Sequence, residues 1–212
     1  MELLNPLAEK YAEKYTTADN LLLQEIIAFT NLHHSDPHMV SGPLQGTFLE
    51  MISCMIRPKR ILEIGTMTGF SALCLAKGLT DDGMLHTIEV RKEDAETAQG
   101  FFNRSNYLKK IIIHIGEALP IIDELRETWD LVFIDADKPN YINYFNHVLS
   151  NVRKGGFILA DNVLFHGQVL EEVIKGKNAR AIQAFNDFVA ERTDVEKMML
   201  PLRDGVYLIR KL

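Results

Sequence analysis

Apolar and polar positions along this chain follow two periods in turn. Short apolar runs suited to strands covered on both faces fall at 61–64, 85–90, 111–115, 131–134 and 157–160. Between them lie stretches with helical spacing at 71–76, 92–103, 119–125 and 141–152. Strict alternation of strand and helix predicts a parallel sheet with helices on both faces. Two helical patterns over 7–34 and a third over 45–56 precede it, with Thr17 or Asp19 as a cap before Leu21. The end of the chain differs. A helix over 179–191 leads to strand-like runs at 195–200 and 206–209, joined by Pro201-Leu202-Arg203-Asp204-Gly205, which predicts a hairpin with an antiparallel C-terminal strand. The expected fold class is therefore α/β, a doubly wound, mostly parallel seven-stranded sheet with an antiparallel edge. At 212 residues, with no internal repeat or linker, it reads as one domain over 1–212, in which 1–57 form a helical cap.

The stretch that organises the rest is Arg60 to Ser71, a strand running into a turn with Gly65 and Gly69 and then a helix. Such a turn can aim helix N–H groups at a ligand, although two glycines in this setting also serve close packing. The dinucleotide fingerprint needs a second glycine where this chain has Met67, whose side chain would obstruct a pyrophosphate. The spacing therefore favours an adenosine ligand without phosphates, a description that S-adenosylmethionine fits. Glu89 ends the second strand, where a carboxylate accepts both ribose hydroxyls. Gly116-Glu117-Ala118, after the third strand, is placed to touch the adenine. The loop through Met39, Val40 and Ser41 reads either as a contact to the adenosyl-sulfonium or as a plain connection.

Acids gather at the next two strand ends, Asp135-Ala136-Asp137-Lys138-Pro139 and Asp161-Asn162. Carboxylate and amide oxygens from Asp135, Asp161 and Asn162 suit a hard divalent cation such as Mg²⁺, with Mn²⁺ or Ca²⁺ as alternatives. Lys138 beside them can orient or deprotonate a hydroxyl. The bland alternatives are a helix cap at Asp137, a turn at Asp161-Asn162 and a surface ion pair at Lys138. The adjacent His33 and His34 point in different directions on a helix and read as a solvated helix end rather than a metal site.

Charge and composition narrow the classes. A net charge of -6 and a pI near 5.7 argue against a general nucleic-acid binder. Cys54 and Cys74 form no C-x-x-C pair and read as buried free thiols of a cytoplasmic protein. The segment from Met1 to Pro6 has no export pattern, and no later run is long enough to span a membrane.

Taken together, Glu-Ile-Gly-x-x-Thr-Gly-x-Ser at 63–71, Asp-Ala-Asp-Lys at 135–138, Asp161-Asn162 and Leu-Pro-Leu-Arg-Asp-Gly at 200–205 resemble the cation-dependent O-methyltransferases. These include the caffeoyl-coenzyme A and catechol O-methyltransferases, and the resemblance runs over nearly the whole chain. It implies a class I methyltransferase fold, with Asp135, Asp161 and Asn162 as metal ligands and Lys138 as catalytic base or hydroxyl orienter, assisted by Asp135. It places cofactor contacts on Met39, Ser41, Glu63, Gly65, Ser71, Glu89, Ala118 and Asp135, and it implies a homodimer. The acceptor so implied is a catechol-like vicinal diol, such as a caffeoyl-type phenylpropanoid. A hydroxylated tRNA base is the alternative within the family, and a dinucleotide oxidoreductase or nucleotide-binding regulator the alternative outside it. Phe165 and His166 depart from the tryptophan and asparagine of the plant members, in the loop expected to touch the acceptor ring.

Overall fold

The computed structural model describes residues 5–18 and 20–212. Seven strands form one sheet: β1 (Arg60–Ile64), β2 (Met84–Glu89), β3 (Ile111–Ile115), β4 (Trp129–Ile134), β5 (Val152–Asp161), β6 (Val195–Leu200) and β7 (Val206–Lys211). Their order is β3-β2-β1-β4-β5-β7-β6. The first five run parallel, and β7 lies antiparallel to both of its neighbours. The expected antiparallel strand is therefore present, but it lies inside the sheet. The hairpin folds back so that β6 takes the edge.

Each central strand sends alternate residues to opposite faces, and both faces are dry. Leu62, Ile64, Val132, Ile134, Ile158 and Ala160 meet helices α6 (Ala118–Glu124), α7 (Tyr141–Leu149) and α8 (Lys177–Glu191) through Ile122, Phe145 and Phe185. Ile61, Leu85, Leu131, Phe133 and Leu159 meet the other layer, α2 (Leu21–His33), α3 (Pro43–Ile56), α4 (Phe70–Ala76) and α5 (Lys92–Phe102). Full burial of each large apolar side chain contributes about 1.5–3 kcal/mol, which is why the strands read as mainly apolar runs, with buried polar residues such as Glu63 and Thr87 among them. A first helix, α1 (Pro6–Lys14), buries none of its residues.

Several expectations needed adjustment. Helix α2 is capped by Asn20, whose side chain accepts the Leu23 N–H, rather than by Thr17; Asp19 lies outside the described residues. Helix α7 stops at Leu149, because Val152 already pairs with Trp129 at the start of β5. That strand begins five residues before the expected 157, since Gly155 and Gly156 hid its first half from a β-propensity reading. Cys74 is buried, but Cys54 is exposed on α3. His34 is no solvated helix end. Its Nδ1 accepts the Asp36 N–H at 2.9 Å and its Nε2 lies 3.3 Å from Asp94, with only 7% of the side chain exposed. Residues 1–4, which carry part of the expected non-export N-terminus, are also outside the described set. Among the described residues no helix is long and apolar enough to cross a membrane.

Candidate active site

A cleft of about 1040 Å³ opens at the carboxyl ends of β1, β2, β4 and β5. One wall is the turn after β1. Gly65 takes φ 100°, and a Cβ there would stand 1.9 Å from the Asp135 carbonyl oxygen, so only glycine lets the two strand ends lie side by side. Gly69, at φ 87°, starts α4 where a side chain would strike the Phe102 ring at 2.6 Å. The turn is fixed from beneath by Glu89. Its Oε2 accepts the N–H groups of Thr66 at 3.2 Å and Met67 at 2.7 Å, and its Oε1 accepts that of Arg91 at 2.9 Å. Thr68 is tied to α2 through Thr30 at 2.8 Å, so the cap and the turn are one unit.

Below the turn lies Glu63, fully buried on β1. Thr66 and Thr87 share a hydroxyl–hydroxyl hydrogen bond, and Thr87 donates onward to Glu63 Oε2. Glu63 Oε1 has no hydrogen-bond partner among the described residues. Burial pushes this carboxyl up to about 8 against the lowering effect of Thr87 and Ser71, and the Asp135 and Glu89 charges push the same way.

The opposite wall holds the acids. Lys138 Nζ donates to Asn162 Oδ1 at 2.6 Å, to Tyr141 Oη at 2.7 Å and to Asp135 Oδ1 at 3.0 Å. An ammonium has three protons, so all are placed. Burial opposes its charge, but Tyr141 and Asp135 outweigh burial and raise its pKa. Asp161 Oδ2 accepts from Gln45 at 2.6 Å and Oδ1 from the Asn162 N–H at 2.8 Å. Burial first, and then the nearby Asp135 charge, push Asp161 up to about 7. Two carboxyls and an amide oxygen thus line one wall of the cleft, where neighbouring acids favour a cation.

These oxygens fit a hard divalent ion. A positive charge already meets two of them, since the Lys138 ammonium donates to Asp135 and to Asn162. Among the described residues no group of three or more His, Cys, Asp and Glu could hold a metal; the set here has two carboxyls and an amide. The other wall fits an adenosyl donor, with the glycine turn and the Glu89 carboxylate lining the cleft beside Ser71 and Ala118.

Of the residues singled out from sequence, Met39, Ser41, Gly65, Ser71, Glu89, Ala118, Asp135, Lys138, Asp161 and Asn162 all line this one cleft. Glu63 does not; it lies behind the lining. Met67 lines it too, at φ 49°, and so do Phe165 and His166. Asp137 does not cap a helix through its side chain: its carboxylate accepts from Tyr144 Oη and from Asn140 Nδ2. Sequence reasoning missed Gln45, Tyr141, Arg203 and Asp204. Tyr141 stands three residues beyond Lys138, a spacing that brings side chains together on a helical turn. Gln45 and Arg203, bonded to each other at 3.3 Å, carry no local signal.

A sequence profile of the O-methyltransferase family matches residues 13–212. The chain belongs to the O-methyltransferase family. It is an S-adenosylmethionine-dependent O-methyltransferase of the caffeoyl-CoA and catechol type. The chain is 33% identical over 187 residues to caffeoyl-CoA O-methyltransferase 5 of Nicotiana tabacum, covering 82% of this chain and 78% of that one. It is 34% identical over 170 residues to a catechol O-methyltransferase of Niastella koreensis, covering 78% and 77%. The crystal structure of an O-methyltransferase of tomaymycin synthesis from Streptomyces achromogenes, in complex with S-adenosylmethionine, superposes with a TM-score of 0.88 at 28% identity. It covers 96% of this chain and 95% of that one. The dinucleotide alternative falls with this assignment.

Proposed function

We propose that this methyltransferase is dependent on a divalent cation and methylates one hydroxyl of a small catechol-like acceptor. The observation that carries the reading is the convergence of Asp135, Asp161, Asn162 and Lys138 on one cleft wall, facing the glycine turn and Glu89.

On this reading the donor lies along the turn, with its ribose at Glu89, its adenine towards Ala118 and its methionine end by Met39, Ser41, Ser71 and Asp135. Asp135, Asp161 and Asn162 would hold Mg²⁺, which would supply a positive charge that favours ionisation of an acceptor hydroxyl. Ionising a phenol of pKa near 10 at pH 7 costs roughly 4 kcal/mol, so a site without cationic help would be slow. Lys138, with its ammonium already committed to three oxygens, acts by orienting and by charge. It stands where an acceptor oxygen approaching Asp135 and Asn162 meets its positive end. The hydroxyl proton leaves to solvent, the sulfur–methyl bond breaks as the oxygen–methyl bond forms, and S-adenosylhomocysteine is released, the walls contributing by alignment. Exposed Leu7 and Tyr11 on α1 and Tyr15 just after it, with Met51 and Met55 on α3, support a homodimer.

The reading is tested with Asp161→Ala. Methyl transfer in the presence of Mg²⁺ is expected to fall by at least a hundredfold, while S-adenosylmethionine affinity, measured by calorimetry, changes little. Wild-type turnover in this variant with a chelator present would remove Asp161 from any metal role.

A further inference from the structure

Beyond the metal wall, two loops meet at the far side of the cleft. The first leaves β5 through Asn162 and carries Phe165, His166 and Gly167 at φ 42°, 54° and 76°. At Phe165 and His166 this left-handed conformation costs about 1–2 kcal/mol each, which Gly167 does not incur, and it persists only where the surroundings enforce it. The β6–β7 turn does so. The Val163 N–H donates to the Gly205 carbonyl at 3.1 Å, the Leu164 N–H to the Asp204 carbonyl at 2.9 Å, and the His166 N–H to Asp204 Oδ1.

The same carboxylate faces the His166 ring. Asp204 Oδ2 is buried with no hydrogen-bond partner among the described residues, and it lies 3.8 Å from His166 Nδ1. Asp204 is 15% exposed at its side chain, whereas the imidazole is 65% exposed and lines the cleft. Phe165 packs beside it, with ring centroids 5.4 Å apart. At 3.8 Å the carboxylate oxygen is beyond direct hydrogen-bond reach of Nδ1, but its charge on that side of the ring favours the neutral tautomer protonated at Nδ1, in which Nε2 is the hydrogen-bond acceptor.

Charge along the cleft points the same way. Glu9, Glu117 and Asp137 also line it. Each lysine and arginine of the lining is already engaged: Arg91 with Asp94 and His34, Lys138 as described, and Arg203 with the Val40 carbonyl and Gln45. A ring substituent that is itself a carboxylate meets acids and committed cations. One that donates a hydrogen bond meets Nε2.

Building on the methyltransferase reading, we propose that His166, oriented by Asp204, is an acceptor-specificity residue that receives a hydrogen bond from a hydroxyl or ammonium substituent on the catechol ring. The pair thereby selects donor-bearing catechols over carboxylate-bearing ones and fixes which of the two ring hydroxyls faces the methyl donor.

The test compares kcat/KM for dopamine, 3,4-dihydroxybenzyl alcohol and 3,4-dihydroxybenzoate, with the meta-to-para product ratio, in wild type, His166→Asn, His166→Gly and Asp204→Asn. Asparagine and glycine both tolerate the left-handed backbone, so they remove the imidazole without adding strain. Wild type is expected to favour the two donor-bearing acceptors. Both His166 variants should reduce that preference about tenfold and shift the product ratio towards even; Asp204→Asn should move both in the same direction. An equal fall for all three acceptors with an unchanged product ratio marks a purely structural role and overturns the proposal, as does an unchanged preference. A wild-type enzyme that methylates none of the three overturns the catechol reading itself, and the inference with it.

Discussion

Replacing Glu63 by glutamine tests the electrostatics of the cleft floor. The residue is fully buried, and its carboxyl is raised from 4.5 to about 8, chiefly by burial. A raised acid binds its proton more tightly in the folded state than in the unfolded one. The stability linked to that proton is thus complete below pH 4.5 and is lost as pH climbs to 8, beyond which the curve is flat. At 1.36 kcal/mol per pKa unit the full loss is about 4–5 kcal/mol, and about 3 kcal/mol of it has occurred by pH 7. Glu63→Gln keeps the shape and the acceptor for Thr87 but cannot titrate. It places an amide where Oε1 has no partner, a pH-independent cost of about 1–3 kcal/mol. The variant should therefore be less stable than wild type near pH 4.5 and more stable at pH 8, with the curves crossing between. Urea unfolding of the ligand-free protein at half-unit steps from pH 4.5 to 9 measures this. Parallel curves for the two proteins would refute the reasoning, because they would mean that Glu63 is ionised in the folded state throughout.

Other consequences follow from the same geometry. Gly65→Ala puts a Cβ 1.9 Å from the Asp135 carbonyl at a φ of 100°, so it should lose at least 2–3 kcal/mol of stability in denaturant titration and most of its S-adenosylmethionine affinity. Leu62→Ala, at a fully buried position of β1, should cost about 2–5 kcal/mol in the same titration, with little change in KM for the donor. Tyr141→Phe removes the hydroxyl that accepts from Lys138 and donates to the Asp161 carbonyl at 3.0 Å. It should cost about 1–3 kcal/mol and lower kcat more than the donor KM, as steady-state kinetics would show.

Which parts were legible in the sequence depended on distance along the chain. The strands of the parallel sheet announced themselves because Ile61, Leu62, Leu131 and Val132 are covered on both faces, so apolar residues dominate them even where a buried polar residue such as Glu63 or Thr87 intervenes. The glycine turn was legible because it follows from backbone angles, and the place of Glu89 in the cleft because it ends a strand, whereas its bonds to the turn's N–H groups were not. Asp135 and Lys138 are three residues apart, and Asp161 adjoins Asn162, so each half of the acid wall could be read locally. Their meeting is a consequence of β4 and β5 lying side by side. What stayed hidden was set by contacts between distant segments. Gln45 reaches Asp161 from 116 residues away, and Arg203 reaches Val40 from 163. The order of the last two strands depended on β7 finding β5, which a local hairpin signal does not specify. His34 read as a solvated end because Arg91 and Asp94, which surround it, lie on the far side of two strands.

The most direct measurement is transfer of labelled methyl from S-adenosylmethionine to a panel of catechols, run with Mg²⁺ and with chelator. The account predicts transfer to at least one catechol that chelator abolishes and added Mg²⁺ restores. Transfer that is indifferent to chelator would contradict the metal role of Asp135, Asp161 and Asn162. Tight donor binding with no catechol methylated would contradict the acceptor class and make a hydroxylated tRNA base the acceptor to test.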